Sequence, residues 1–337
     1  MSIGLEATTA SQLLPPPLRA PVYRLDRTFE DNAASGPSFF GAYPKVPATP
    51  LKDFFGHGVG SRFGIAASLI MNARWFELYS RLGFDLLTYK TIRSRARKAH
   101  PLPNWVYVDE ATAATDEDAT LQATRTLPAA PLTATAAGSI GMPSSAPEFW
   151  RRDIVECRTR LRPGQVLIVS VVGTAHADTR ESELYRDVDL AARIAGAARA
   201  AAGSVPLLVK VGPTDEPESM AVLLRRLRGL VDGVVMINAP SRRIIDAAGA
   251  PAFGADRERA GMMGGATFGI ALSCVRNAVA IVERERLDLR ILAVGGVCSP
   301  QRIGAFFDAG AYAVLAASAC AWDPYLAIRA KLHDPRF

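Results

Sequence analysis

The feature that most restricts this chain is a succession, from Phe63 onward, of short and almost uninterrupted apolar runs separated by longer helical stretches. Runs of strand length rich in Val, Ile, Leu and Ala, without polar alternation, suit strands buried on both faces, as in a parallel sheet covered by crossover helices. The pattern predicts strands at Phe63–Ala67, Phe84–Thr88, Val166–Val171, Leu207–Val211, Val234–Ile237, Ile291–Val294 and Ala313–Ala316. Helices are expected between them at Ala73–Leu82, Glu183–Ala202, Glu218–Leu230 and Ile270–Glu285. The implied class is α/β, a (β/α) TIM-type barrel. With 337 residues, 49% of them hydrophobic, the chain can bury one large core without a second domain. Residues 61–337 are assigned to the barrel, and residues 1–60, with Pro15-Pro16-Pro17 and no sustained period, to an irregular N-terminal arm.

Several function classes recede on composition. The four cysteines and four histidines are dispersed without ligand spacing, so no metal site and no disulfide framework are expected, and a reducing compartment fits. The formal charge of +6 is spread along the chain rather than gathered into a block, which argues against nucleic acid. No apolar run approaches the ~20 residues of a spanning helix, and the N-terminus lacks the pattern of a signal peptide. A soluble, cytoplasmic protein without a membrane partner is expected.

The strand ends carry the chemistry. Ile291–Val294 runs into Gly295-Gly296 before a helix opening at Ser299-Pro300, and Ala313–Ala316 runs into Ala317-Ser318-Ala319. Small residues there let backbone N–H groups approach a phosphate, which such barrels often hold after their last two strands; the alternative is a tight turn that needs glycine anyway. Lys90 and Lys210 each end an apolar strand, where the mouth of a barrel would bring both ammonium groups near one anionic or electron-rich ligand. For each the alternative is a lysine snorkelling to solvent. Asn238 stands at a strand end in the same way, able to donate to and accept from a heterocycle or to form a simple turn. Gly261 to Gly265 reads as a flexible loop, and Ala111–Pro147, rich in Ala, Thr, Pro and Ser, as a lid or pocket wall or, alternatively, a floppy insertion.

At these positions the chain resembles the dihydroorotate dehydrogenase family, barrels that bind FMN and move a hydride between a pyrimidine ring and the flavin. The matching pieces are Gly64-Ile65-Ala66-Ala67, Gly83-Phe84 through Tyr89-Lys90-Thr91, Ser139-Ile140-Gly141-Met142-Pro143, Leu207 through Pro213, Ile237-Asn238, Gly264-Gly265 and Val294 to Val297. The resemblance implies that Ala66, Ala67 and Ser68 lie along the flavin, with Lys90, Thr91 and Ser170 at the ring and Lys210 at its N1–O2 edge, where positive charge stabilises the reduced anion. It also implies a flavin contact for Asn238, and gives the ribityl phosphate to Gly264, Gly265, Gly295, Gly296, Ala317 and Ser318. Ser139, Met142 and Asn238 would face the substrate.

The catalytic part departs from the family's pattern. Members carry an Asn-x-Ser-Cys-Pro-Asn motif, or its Ser variant, on the fourth barrel strand; here Val166–Gly173 passes His176 and one helix directly to Leu207–Val211. One barrel strand is therefore expected to be lost: either the barrel closes with fewer strands, or part of Leu132–Ala136 or an irregular segment plugs the opening. The seam is expected to be covered by the arm or by a second copy in a homodimer. Gly138 replaces the family's Asn before its Gly-Met-Pro turn and Ala239 replaces a hydroxyl residue, so dihydroorotate is not the expected substrate. The expected function is an FMN-dependent oxidoreductase of specialised metabolism, with Lys90, Tyr89, His100 or His176 as candidate replacement proton donors. The basic run Arg93, Arg95, Arg97 and Lys98 could attract an anionic substrate or form a solvated loop. A repurposed, non-catalytic flavin barrel and a genuine dihydroorotate dehydrogenase are the alternatives.

Overall fold

The computed structural model of the chain describes residues 14–109, 116, 118–124, 126–172, 181–214 and 216–337. The arm is more ordered than its composition suggests. It holds helix α1 (Phe29–Ser35), closed by a capping box in which the Thr28 hydroxyl accepts from Asp31 N and the Asp31 carboxylate reaches back to Thr28 N. A hairpin follows, β1 (Lys52–Phe54) and β2 (His57–Val59). Then come β3 (Phe63–Ile70), α2 (Ala73–Arg81), β4 (Leu86–Ile92), β5 (Trp105–Val108), β6 (Thr120–Thr124) and β7 (Thr135–Gly138). Next are α3 (Pro147–Thr159), β8 (Val166–Val171), α4 (Val188–Ala202), β9 (Leu208–Val211), α5 (Pro217–Leu227), β10 (Gly233–Met236), β11 (Ser241–Ile245) and β12 (Arg259–Gly264). The chain closes with α6 (Thr267–Glu285), β13 (Arg290–Val294), α7 (Pro300–Asp308), β14 (Ala313–Ala316), α8 (Ala319–Trp322) and α9 (Leu326–His333).

Seven strands form one parallel sheet in the order β8-β4-β3-β14-β13-β10-β9, curled into a half-barrel with helices outside. The all-apolar runs behave as their composition requires: every residue of β10 and β14 is buried. The two ends of the order are different. Among the described residues no strand pairs with the outer edge of β8 or β9, and on β8 Val169 is 41% and Val171 67% exposed. Loss of a neighbour on one side opens the sheet there.

Leu132–Ala136 does not plug this opening. Its end enters β7, which pairs with β12 and β5 in a second, closed barrel of five short strands, β11-β12-β7-β5-β6, where β6 pairs back with β11. Three of these strands belong to the excursion after β4 and two follow β10, so the small barrel stands at the C-terminal ends of the large sheet. Leu121, Ile244, Phe253 and Met262 fill it. The Gly261–Gly265 loop expected from sequence is mostly strand, because its backbone is paired residue by residue with Thr135–Gly138. The described part of the arm does not cover the opening either: Leu18 N and Val22 N donate to the carbonyls of Trp322 and Ala321, and Tyr23 stacks on Trp105. Among the described residues no helix is long and apolar enough to cross a membrane.

Candidate functional site

A cavity of about 150 Å3, open to solvent at its mouth, lies at the C-terminal ends of the half-barrel strands. The Ala66–Ser68 stretch of β3 forms one wall, and Lys210, Asn238 and Gly264 another. Gly295, Gly296, Ala317 and Ser318 close its end. Of the sequence-predicted residues, those of β3, β9, β13 and β14, of the turn after β10 and of β12 in the small barrel converge here, whereas Lys90, Thr91, Ser170, Ser139, Met142 and Gly265 do not line the cavity.

The glycines are there for close packing as much as for a ligand. A Cβ on Gly296 (φ +62°) would stand 2.7 Å from Phe268 N, in the first turn of α6. The Gly295-Gly296 backbone thus lies against the N-terminus of a 19-residue helix that no side chain caps, which directs its positive dipole end toward this corner. Gly265, just outside the cavity lining, is equally constrained: its Cβ would meet Thr133 O at 2.1 Å.

The two lysines are the electrostatic anomaly. Lys210, at the end of β9, is exposed and presents its side chain to the cavity; the protein crowded around its ammonium pushes it down to about 8, although water reaches it. Lys90, on β4, is pushed down to about 8 by burial, then by the like charges of Arg93 and Lys210, so the two ammonium groups lie near enough to repel. Neither has a hydrogen bond or ion pair to any described residue. The Asn238 amide likewise has no described side-chain partner, while its backbone N donates to Val211 O at 2.7 Å.

The other expected residues fall around this centre. Thr91 and Ser170 share a hydroxyl–hydroxyl hydrogen bond at 3.0 Å, joining β4 to β8, and neither lines this cavity. Lys90 and Thr91 border a second cavity on the α1 side of β4. Ser139 and Met142 lie on a turn beside the site, outside both linings. Gly141 (φ +83°) and Met142 (φ +46°) both take left-handed backbone there, an outlier for methionine. The turn is braced: the Met142 carbonyl accepts from Arg93 Nε at 3.0 Å, and His100 N donates to Ile140 O at 3.0 Å. The His100 ring packs on Gly141 and contacts Ser139, and burial followed by the Arg257 charge lowers its proton affinity. Tyr89 donates its hydroxyl to Asp153 at 2.7 Å; burial and then that carboxylate push the hydroxyl far above its ordinary range, so it holds its proton. His176 and the chain just after Gly173 lie outside the described residues. No group of metal-ligating side chains occurs among the described residues.

Sequence reasoning missed Arg302. Its Nη1 donates to the carbonyls of Gly296 (2.8 Å) and Gly265 (3.4 Å), tying the two glycine turns together, while its guanidinium lies 4.6 Å over the Phe268 ring. An arginine in the first turn of a helix opposes the macrodipole, and that was its available signal. It also missed Met263, which lines the cavity from β12, and Asp153, whose carboxylate caps α2 at Ala73 N as well as holding Tyr89.

The fold and this geometry define a β/α half-barrel with an anion-accepting cleft at its strand ends. No family model matches the chain. A protein of Dictyostelium discoideum described as dihydroorotate dehydrogenase is 30% identical over 360 residues, covering 93% of this chain and 97% of that protein. A crystal structure of DHODH from Eimeria tenella in complex with ferulenol superposes with a TM-score of 0.65, at 17% identity, over 96% of this chain and 93% of that one. The chain belongs to the dihydroorotate dehydrogenase family, a family of flavin-dependent oxidoreductases.

Proposed function

We propose that the protein is an FMN-dependent oxidoreductase acting on a small molecule other than dihydroorotate. The observation that carries this reading is the pair of ammonium groups without described partners, Lys210 on the wall of a glycine-lined cleft and half-buried Lys90 within repulsive reach of it. Two like charges held close together suit a site that an anion or an electron-rich edge completes. The residues fit FMN: Lys210 and Asn238 suit the polar edge of its ring. The Gly295-Gly296 turn, the N-terminus of α6 and Ser318 suit its phosphate. FMN supplies the hydride and electron chemistry when bound.

For the proton the chain offers Lys90 itself. A lysine pushed down to about 8 can release and regain a proton near neutrality, whereas Tyr89 is committed to Asp153. The substrate exclusion rests on Gly138, which brings no amide where the family's pattern has asparagine; the end of the Met263 side chain lies beside it, its Cε 2.9 Å from where a Cβ would stand. Ala239, at the lip of the same cleft, brings no hydroxyl. Four free, buried cysteines support a cytoplasmic setting, and the exposed edge at β8 supports a second copy as its cover in a homodimer.

The visible spectrum of the purified protein tests the reading. A yellow protein is expected, whose flavin is photoreduced anaerobically, is not bleached by dihydroorotate, and is reoxidised by an added acceptor. A colourless protein that takes up no FMN would refute the cofactor assignment, and bleaching by dihydroorotate would refute the substrate exclusion.

A further inference from the structure

The second cavity has no place in the flavin reading. It has a volume of about 560 Å3 and opens to solvent between α1, the Tyr89–Ile92 end of β4 and the first turn of α3. Its walls are apolar: Phe29, Ala33, Met71, Pro143 and Phe149. Phe149 is 45% exposed at the mouth, an aromatic surface that nothing in the chain covers among the described residues.

The hydrogen-bonding groups on these walls are mostly spent on the fold. Tyr89 holds Asp153. The Asn72 amide donates to Ala33 O at 2.7 Å while its carbonyl oxygen caps α2. The Ser144 hydroxyl donates to Ser145 O and accepts from Arg93 N. The Glu30 carboxylate accepts from Ala99 N at 2.7 Å. Arg97, also on the lining, has a partner of its own. This leaves Lys90, half-buried and without a described partner, while Lys98 stands exposed.

We infer that this chamber binds an apolar molecule carrying one carboxylate, with the carboxylate on the Lys90 ammonium and the hydrocarbon part between Phe29, Met71 and Phe149. A polar heterocycle or sugar would leave its own donors and acceptors unpaired against these walls, a loss that apolar packing does not offset. One recessed cation suits one negative charge, and the Glu30 carboxylate at the rim opposes a second. The binding does not depend on the FMN reading, because no residue of this chamber lines the flavin cleft.

Octanoate, octanol and octylammonium, titrated calorimetrically into the full-length protein, test the inference. Octanoate is expected to bind at least about tenfold more tightly than octanol, the worth of one charge-assisted contact, and octylammonium more weakly than either. Lys90→Met is expected to erase the preference for octanoate over octanol. Ala33→Trp fills the chamber from α1, away from the flavin cleft, and is expected to abolish binding of both while leaving the visible spectrum unchanged. Phe149→Ser at the mouth is expected to weaken octanoate and octanol alike, and it reports independently if Ala33→Trp perturbs the arm. Octanoate binding no tighter than octanol, or unaltered by both chamber substitutions, overturns the proposal. A colourless protein that still prefers octanoate refutes the FMN reading and keeps the chamber; a yellow protein indifferent to octanoate does the reverse.

Discussion

Raising the pH should weaken the binding of FMN in a way set by Lys90 and Lys210. With both ammonium groups pushed down to about 8, each is about nine-tenths charged at pH about 7 and about one-tenth charged at pH about 9. If the flavin binds the charged forms, each lysine raises Kd about tenfold across that interval, and the pair about a hundredfold. The sign follows from the cause: the ligand favours the proton-bound form, so its affinity is full below the lowered pKa and lost as pH rises through it. Lys210 presents surface to the cavity, and water reaching it moderates its shift, so the hundredfold figure is an upper bound. Around Lys90, burial and then the charges of Arg93 and Lys210 depress the proton affinity, and Asp153 is engaged by Tyr89. The FMN phosphate is already almost fully ionised above pH about 7, so it adds no slope of its own in this window. Quenching of FMN fluorescence by apoprotein measures Kd at each pH, and Lys210→Met should remove about half of the logarithmic slope. A Kd that stays constant from pH about 7 to about 9, or tightens, would refute the reasoning.

Other perturbations bear on the scaffold. Lys331 and Asp85 form an ion pair at 2.7 Å with both side chains almost wholly buried, at the end of the sheet opposite the cleft. Lys331→Met should strand the carboxylate and cost about 3–5 kcal/mol in urea unfolding, and adding Asp85→Leu should restore most of it; equal losses in the single and double variants would contradict this. Met142→Gly removes a side chain from left-handed backbone and should raise stability by about 0.5–1 kcal/mol after the unfolded-state cost of glycine, read from the same urea midpoints. Arg302→Met should lower FMN affinity about tenfold by untying the Gly265 and Gly296 turns, with Arg302→Lys intermediate; unchanged fluorescence titrations would show the tie to be dispensable.

The large sheet was legible because each of its strands is an apolar run that no other arrangement buries so well. The predicted ends erred by a few residues, as where Phe84–Thr88 becomes Leu86–Ile92, because propensity alone does not set where pairing stops. The 3-10 turn at Glu181–Arg186 took the start of the expected Glu183–Ala202 helix, which begins instead at Val188 under an Asp187 cap. The small barrel was illegible for a different reason. Strands such as Thr135–Gly138 and Arg259–Gly264 are short, mixed in polarity and rich in small residues, and their partners lie more than a hundred residues away. Gly138 and Gly261 face each other in that pairing, and each reads locally as a turn signal. Helix α3 carried its mark in the open, a proline at its first position. At the site, Lys90 and Lys210 were readable because a cation ending an apolar run has to be explained, whereas the role of Asp153 depends on Tyr89 and Ala73, which no spacing connects to it.

The strand order ties the opening of the barrel to its chemistry. The walls that suit a flavin phosphate come from β12, β13 and β14, together with the start of α6, the intact side of the molecule, where every strand of the large sheet has two neighbours. The two lysines come from the other side: Lys210 sits on β9, the edge strand, and Lys90 on β4, next to the opposite edge strand β8. In a closed barrel another strand would separate β8 from β9, and in the family's pattern that neighbourhood supplies the proton-removing residue. Here the described residues place two like charges near one another across that region, and their repulsion adds to burial in bringing Lys90 down toward neutrality. The departure that removes the family's base thus leaves, on the strand beside the opening and within repulsive reach of Lys210, a cation of lowered proton affinity, which is the physical ground for assigning the proton to Lys90 rather than to Tyr89 or His100.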